Sequence, residues 1–123
     1  MEEILIECSP GISSDMLLAA LYDLGVPQTV FEKPLIKLGL KNFFSLSFNE
    51  SKSYSLRGVK AEVKVLINNK KKKWKDIKKL ILSGLLDKDL ESMIIKVFQS
   101  LAIAEGKVHG VHPDEVHFHE IGS

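Results

Sequence analysis

All four histidines of the chain, His109, His112, His117 and His119, lie within eleven consecutive residues near its C-terminal end. Two of them flank Phe118 in the run Glu115-Val116-His117-Phe118-His119-Glu120. Side chains alternate along an extended chain, so Glu115, His117 and His119 share one face, with Val116, Phe118 and Glu120 on the other. Two imidazoles at i and i+2 with a carboxylate beside them suit a borderline divalent ion such as nickel or zinc. His109 and His112, just upstream, could fold back to add a ligand. The competing reading is an edge strand that buries Val116 and Phe118 and leaves its polar face in water.

A second candidate is Gly11-Ile12-Ser13-Ser14-Asp15, a turn between an apolar run and a helical pattern. Free amides at a helix start can hold a phosphate or carboxylate, and Asp15 could hold a cation. Gly11, Ser13, Ser14 and Asp15 are thus candidates for cofactor contact. One glycine is not a phosphate-binding fingerprint, however, and a capped turn accounts for the same residues. Cys8 reads as a small core residue rather than a ligand or nucleophile. A third candidate is Lys70–Lys79, where seven lysines surround Trp74 with Asp76 as the lone acid. Such a run could meet an anionic partner such as a nucleic-acid backbone, with Trp74 stacking on a base. In a loop it is more often simply solvated, and nucleic acid is the weaker partner reading.

These residues sit in a chain of 123 residues, 45% apolar and 27% charged with four prolines, which is an ordinary globular balance. Wholesale disorder and collagen-like structure are excluded, and the length suits one domain or part of one. No apolar run approaches the ~20 residues that cross a bilayer. Met1-Glu2-Glu3 carries acid where a secretory signal would carry base. A single cysteine cannot close an internal disulfide, so a cytoplasmic setting is expected. The net charge of +1 conceals the lysine cluster, since the rest of the chain holds ten basic against fifteen acidic residues.

The elements that must position these groups follow from periodicity. Residues 3–8, around Ile4-Leu5-Ile6, predict a first strand. A helix from Ser13 or Ser14 to about Leu24 follows, with Met16, Leu17, Ala20, Leu21 and Leu24 on one face and Gly25 after it. A second helix, about 27–38, packs Val30, Phe31, Leu35 and Leu38, and Pro34 inside it predicts a kink or early break. Residues 43–49 and 59–67 alternate with period 2 and predict an antiparallel hairpin across a polar loop, Glu50 to Leu56. Trp74 opens a helix to about Leu82. Asp87 caps a longer one with Leu90, Ile94, Val97, Phe98, Leu101, Ala104 and Val108 in a stripe, ended by Gly110. Glu115 to Ile121 is a last extended segment. The order β-αα-ββ-αα-β predicts an α+β fold with helices on one face of a small, largely antiparallel sheet.

With these segments in place the chain resembles the N-terminal part of the LarC family of nickel-insertion proteins. Leu5-Ile6-Glu7-Cys8, Gly11-Ile12-Ser13-Ser14-Asp15-Met16 and Ala20 to Val26 are similar to the family's strand, GISGDM turn and first helix. Ala104 to Gly110 resembles its AEAxVHG helix end, and Glu115 to Gly122 resembles its EVHFHEVG signature. The resemblance implies insertion of nickel into a pyridinium bis-thiocarboxylate mononucleotide, a lyase-type reaction using CTP and magnesium or manganese. It also implies that this chain is a single module, 1–123, lacking the C-terminal CTP-binding domain and not turning over alone. Glu7 and Ser14 stand where members have aspartate and glycine, and Lys70–Lys73 where they have a histidine-rich run. A split-gene component, a truncated form and a degenerate remnant used as a noncatalytic interaction module all fit. The metal ligands expected are His117 and His119, then Glu120 or Glu115, then His109; catalytic residues are not indicated, and a homo-oligomer stays open.

Overall fold

The structure, a computed structural model, describes residues 3–67 and 72–118. Helix α1 (Ser14–Asp23) starts at Ser13, whose hydroxyl accepts from the Met16 N–H at 3.2 Å, the expected N-cap. Gly25 at φ 106° ends it, with the Val26 N–H on the Leu21 carbonyl at 3.0 Å and the Gly25 N–H on that of Tyr22 at 2.9 Å. This is the left-handed glycine stop that the sequence predicts. The same device closes α2 (Gln28–Lys37), through Gly39 and the Leu40 N–H on the Leu35 carbonyl. Pro34 does not break α2 early. The helix runs on to Lys37, within a turn of its glycine stop.

Strands β1 (Phe44–Ser53) and β2 (Leu56–Val65) pair antiparallel along their whole length, from Phe44 opposite Val65 to Ser53 opposite Leu56. The expected polar loop is therefore a two-residue turn, Tyr54-Ser55, with φ of 50° and 66°. Both residues occupy the left-handed region, which matches the strand twist but normally selects Asn-Gly. The conformation costs a non-glycine residue about 1–2 kcal/mol. Ser55→Gly is expected to raise stability by about 0.5–1 kcal/mol in urea denaturation, since relief of that strain exceeds the entropy a glycine loses.

Helices α1 and α2 lie on the hairpin face that carries Leu46, Phe48 and Ala61. Tyr22 stacks on Phe48 with ring centroids 4.1 Å apart, and Phe31 meets the same ring at 5.6 Å. Gln28 Nε2 donates to the Leu46 carbonyl at 2.9 Å. Arg57 bonds Asp23 at the end of α1 and Glu50 on β1, and both carboxylates, Asp23 first, raise its pKa. Of the α1 face read from periodicity, Met16, Leu17, Ala20 and Leu24 are exposed, while Ala19 is buried.

The second pair of helices, α3 (Trp74–Ser83) and α4 (Lys88–His109), packs around its own core of Trp74, Ile81, Leu86, Ala102, Val116 and Phe118. Asp87 caps α4 by accepting from Asp89 and Leu90, as expected, and Gly110 at φ 67° ends it. The buried line on α4 is Glu91, Ile95, Phe98, Ala102 and Gly106, with Ile94 and Leu101 beside it. Val97, Ala104 and Val108, placed in the stripe by hydrophobicity, face outward. Leu38, just past α2, packs against this core over Gly84, where a Cβ would come 2.2 Å from Leu38 Cδ2.

The chain's two ends differ from expectation. Residues 3–8 form no strand, and Ile4, Leu5 and Ile6 are exposed, because no strand edge among the described residues lies beside them. Cys8 is exposed as well, not a core residue. Near the other end, Pro113–Glu115 is a single 3-10 turn, and residues 116–118 run extended with one bridge, Lys73 to His117, instead of joining the sheet. The α+β class and the order αα-ββ-αα stand. Gly106 lets the strap approach: a Cβ there would lie 2.8 Å from the Val111 carbonyl oxygen. Alanine would gain about 1 kcal/mol of helix propensity, but it would push against backbone at a cost of about 1–3 kcal/mol. Gly106→Ala is therefore expected to lower the urea midpoint.

Candidate functional site

The histidine-bearing strap, 113–118, is built against the start of α3. His112 Nδ1 accepts from the Asp114 N–H at 3.2 Å and so caps the short turn. Beyond it the predicted alternation is realised: Val116 and Phe118 are buried, while Glu115 and His117 are half-exposed. Phe118 packs edge-on against Trp74 and Phe98, with centroids at 6.0 and 5.6 Å. The Trp74 backbone N–H donates to the Val116 carbonyl at 2.8 Å, next to the Lys73–His117 bridge. The strap is thus pinned from inside by two side chains and along its edge by backbone.

Its outer face is held by charge. Lys73 Nζ donates to Glu115 Oε2, and Lys75 Nζ to Glu115 Oε1 at 2.6 Å. Hydrogen bonds from Lys73 first, then Lys75, pull the Glu115 carboxyl from its usual 4.5 to about 2. The hydrogen bond to Glu115, then its charge, in turn raises the pKa of Lys75. A carboxyl depressed on folding contributes stability that is fully present above about pH 4.5 and is lost as pH falls toward 2. Glu115→Gln is therefore expected to flatten the acid side of the stability profile in that window, measured as urea midpoints against pH. Its midpoint should lie below wild type near pH 6 and meet it near pH 2.

The structure does not bring all the predicted ligands together. His109 Nε2 lies 3.1 Å from Glu105 Oε2 on the last turns of α4, and His112 serves its own turn. Among the described residues no group of three or more His, Cys, Asp or Glu side chains converges as for a metal ion. His119 and Glu120 lie outside the described residues, as do Lys70 and Lys71. Lys73 and Lys75, read from sequence as part of a cationic patch, are engaged on Glu115.

The turn before α1 opens on a groove of about 530 Å³ between α1 and the hairpin. Ser13 and Asp15 line one side, with Tyr54, Arg57 and Lys60 across from them and Met16 in the wall. Gly11, at φ 91° with its N–H on the Cys8 carbonyl, shapes the turn without lining the groove, and Ser14 does not line it either. Sequence reading missed Tyr54, Arg57 and Lys60, because the hairpin turn that brings them round lacks an Asn-Gly signal.

Fold and site together describe a small α+β unit that presents His117 on a strap locked to the start of α3. It belongs to the nickel insertion protein family, whose model matches residues 4–123. A relative from Cyanothece sp. is 37% identical, the match covering 96% of this chain and 30% of its own. Relatives from Clostridium kluyveri and Akkermansia muciniphila are 33% and 34% identical over all of this chain and over 34% and 32% of theirs. Both are named pyridinium-3,5-bisthiocarboxylic acid mononucleotide nickel insertion protein. The chain thus spans about a third of the length of the curated relatives it matches. No solved structure matches it.

Proposed function

We propose that this chain is the metal-handling N-terminal module of a nickel-insertion system that acts on a pyridinium-3,5-bisthiocarboxylic acid mononucleotide. The observation that carries the reading is the family match, which runs from residue 4 to residue 123 and so includes both the strap and the turn before α1. Nickel is cargo in this scheme. His117 and His119 hold it, Glu120 supplies the carboxylate in preference to Glu115, whose two oxygens are taken by Lys73 and Lys75, and His109 on α4 is the next candidate. Imidazole nitrogen binds nickel less avidly than paired soft sulfur, so the thiocarboxylates can draw the ion away. The groove takes the mononucleotide, with its phosphate side or a bound cation toward Asp15 and the Gly11 turn, and Lys60 across from them.

CTP and magnesium or manganese belong, in this reading, to the part of the relatives' length that this chain does not span. Turnover requires that part as well. A cytoplasmic setting fits a single exposed thiol, and no helix among the described residues is long and apolar enough to cross a membrane. The rival, an interaction module using Lys70–Lys79, is weakened by the engagement of Lys73 and Lys75 on Glu115. Calorimetric titration of nickel into wild type and a His117→Ala, His119→Ala variant tests the assignment. Equal affinities would remove the metal-handling role.

A further inference from the structure

Three consecutive residues, Lys73, Trp74 and Lys75, grip three consecutive residues of the strap, Glu115, Val116 and His117. The Trp74 N–H takes the Val116 carbonyl at 2.8 Å, Lys73 bridges to His117 through the backbone, and both lysine ammoniums converge on Glu115. Each oxygen of the Glu115 carboxylate therefore already has a cationic donor. A metal ion could recruit that carboxylate only by stripping away two ammoniums. Two residues along on the same face stands His117, on backbone that the grip immobilises.

We propose that Lys73 and Lys75 are positioning residues, which hold Glu115 out of the metal's ligand set and use it as an anchor that fixes the strap for His117. The inference rests on the reading of His117 as a nickel ligand, and it turns the lysines from a nuisance into a part of the site. Taken as charges alone they oppose a dication, although at an exposed site repulsion is screened beyond ~8 Å at physiological salt. Taken as anchors they remove motion that the ligand would otherwise lose on binding. The two effects have opposite signs, which makes the role measurable.

The experiment compares wild type, Lys73→Met with Lys75→Met, Glu115→Gln, and the three changes together. Nickel affinity is read by calorimetry at moderate salt, and the visible absorption of bound cobalt reports the ligand set. Anchoring predicts that the lysine pair and Glu115→Gln each weaken nickel by roughly three- to tenfold, the size of one or two exposed ion pairs. The combined variant should be no weaker than either, and the cobalt spectrum of Glu115→Gln should match wild type. Lys73→Arg with Lys75→Arg should behave like wild type, which separates lost pairing from lost folding. Tighter nickel in the lysine variant, with a changed cobalt spectrum in Glu115→Gln, would instead make Glu115 a ligand and overturn the proposal. If wild type binds no nickel, the metal-handling reading fails, and the anchor is judged on metal-free protein by nitrogen NMR of the imidazoles. Signals of His117 moving in both variants while those of His109 and His112 stay put supports it; an unmoved His117 refutes it.

Discussion

Alanine at both His117 and His119 is expected to reduce nickel affinity by at least about a hundredfold. Replacing a group that only orients a metal ligand already costs ten- to a hundredfold, and this variant removes two proposed ligands outright. The remaining candidates cannot substitute: His109 sits on the last turn of α4 beside Glu105, His112 caps its own turn, and Glu115 carries two ammoniums. The variant should fold, because the face that builds the core holds Val116 and Phe118, not the histidines. Affinity should also fall as pH is lowered, since an imidazole must be unprotonated to bind a metal. Calorimetry gives both results, with circular dichroism confirming the fold. A variant that binds nickel as wild type does would move the site away from the strap.

Trp74→Ala carries the largest expected effect on stability, a loss of about 3–5 kcal/mol. Trp74 is fully buried, stacks on Phe98 at 5.7 Å, meets Phe118 edge-on, and donates its indole N–H to Gln99 Oε1 at 2.9 Å. Removing the indole opens a void at the point where α3, α4 and the strap converge, and leaves Gln99 without that donor. Small domains have only about 5–15 kcal/mol in total, so the strap and the two helices around it should come apart well before the wild type does. Trp74→Phe keeps most of the apolar area and loses the hydrogen bond, so it should cost less than half as much. Urea denaturation followed by circular dichroism measures both, because the variants lack the only tryptophan. Equal losses would mean that the hydrogen bond, not the buried ring, dominates.

Local signals were the legible part of this fold. Ser13 and Asp87 as caps, Gly25, Gly39, Gly110 and the in–out alternation of the strap all act within a few residues, and the structure shows each of them. Features set by distant partners were not legible. Ile4-Leu5-Ile6 has the composition of a strand, but a strand exists only beside another, and among the described residues none is offered. The α4 face was misread because its closest approaches use Gly106 and Ala102, where smallness matters more than hydrophobicity. Glu91 sits on that buried line as well, with Lys88 on one oxygen at 3.2 Å. The lysines that hold Glu115 precede it by forty residues or more, and no spacing rule reaches that far. Of the candidate site, the sequence displayed the ligand types and their face, while the grip on them came from elsewhere in the chain.

The contact of Leu38 with Gly84 ties the sizes of two side chains that are far apart in sequence. A methyl group at 84 would overlap Leu38 Cδ2, and a shorter residue at 38 would leave a gap above the end of α3. Either change alone disturbs the place where the end of α2 rests on the core of the second helix pair. The two together, one growing as the other shrinks, restore the volume. In descendants of this chain positions 38 and 84 should therefore change as a pair, and a comparison of many such sequences would show the inverse relation between their volumes.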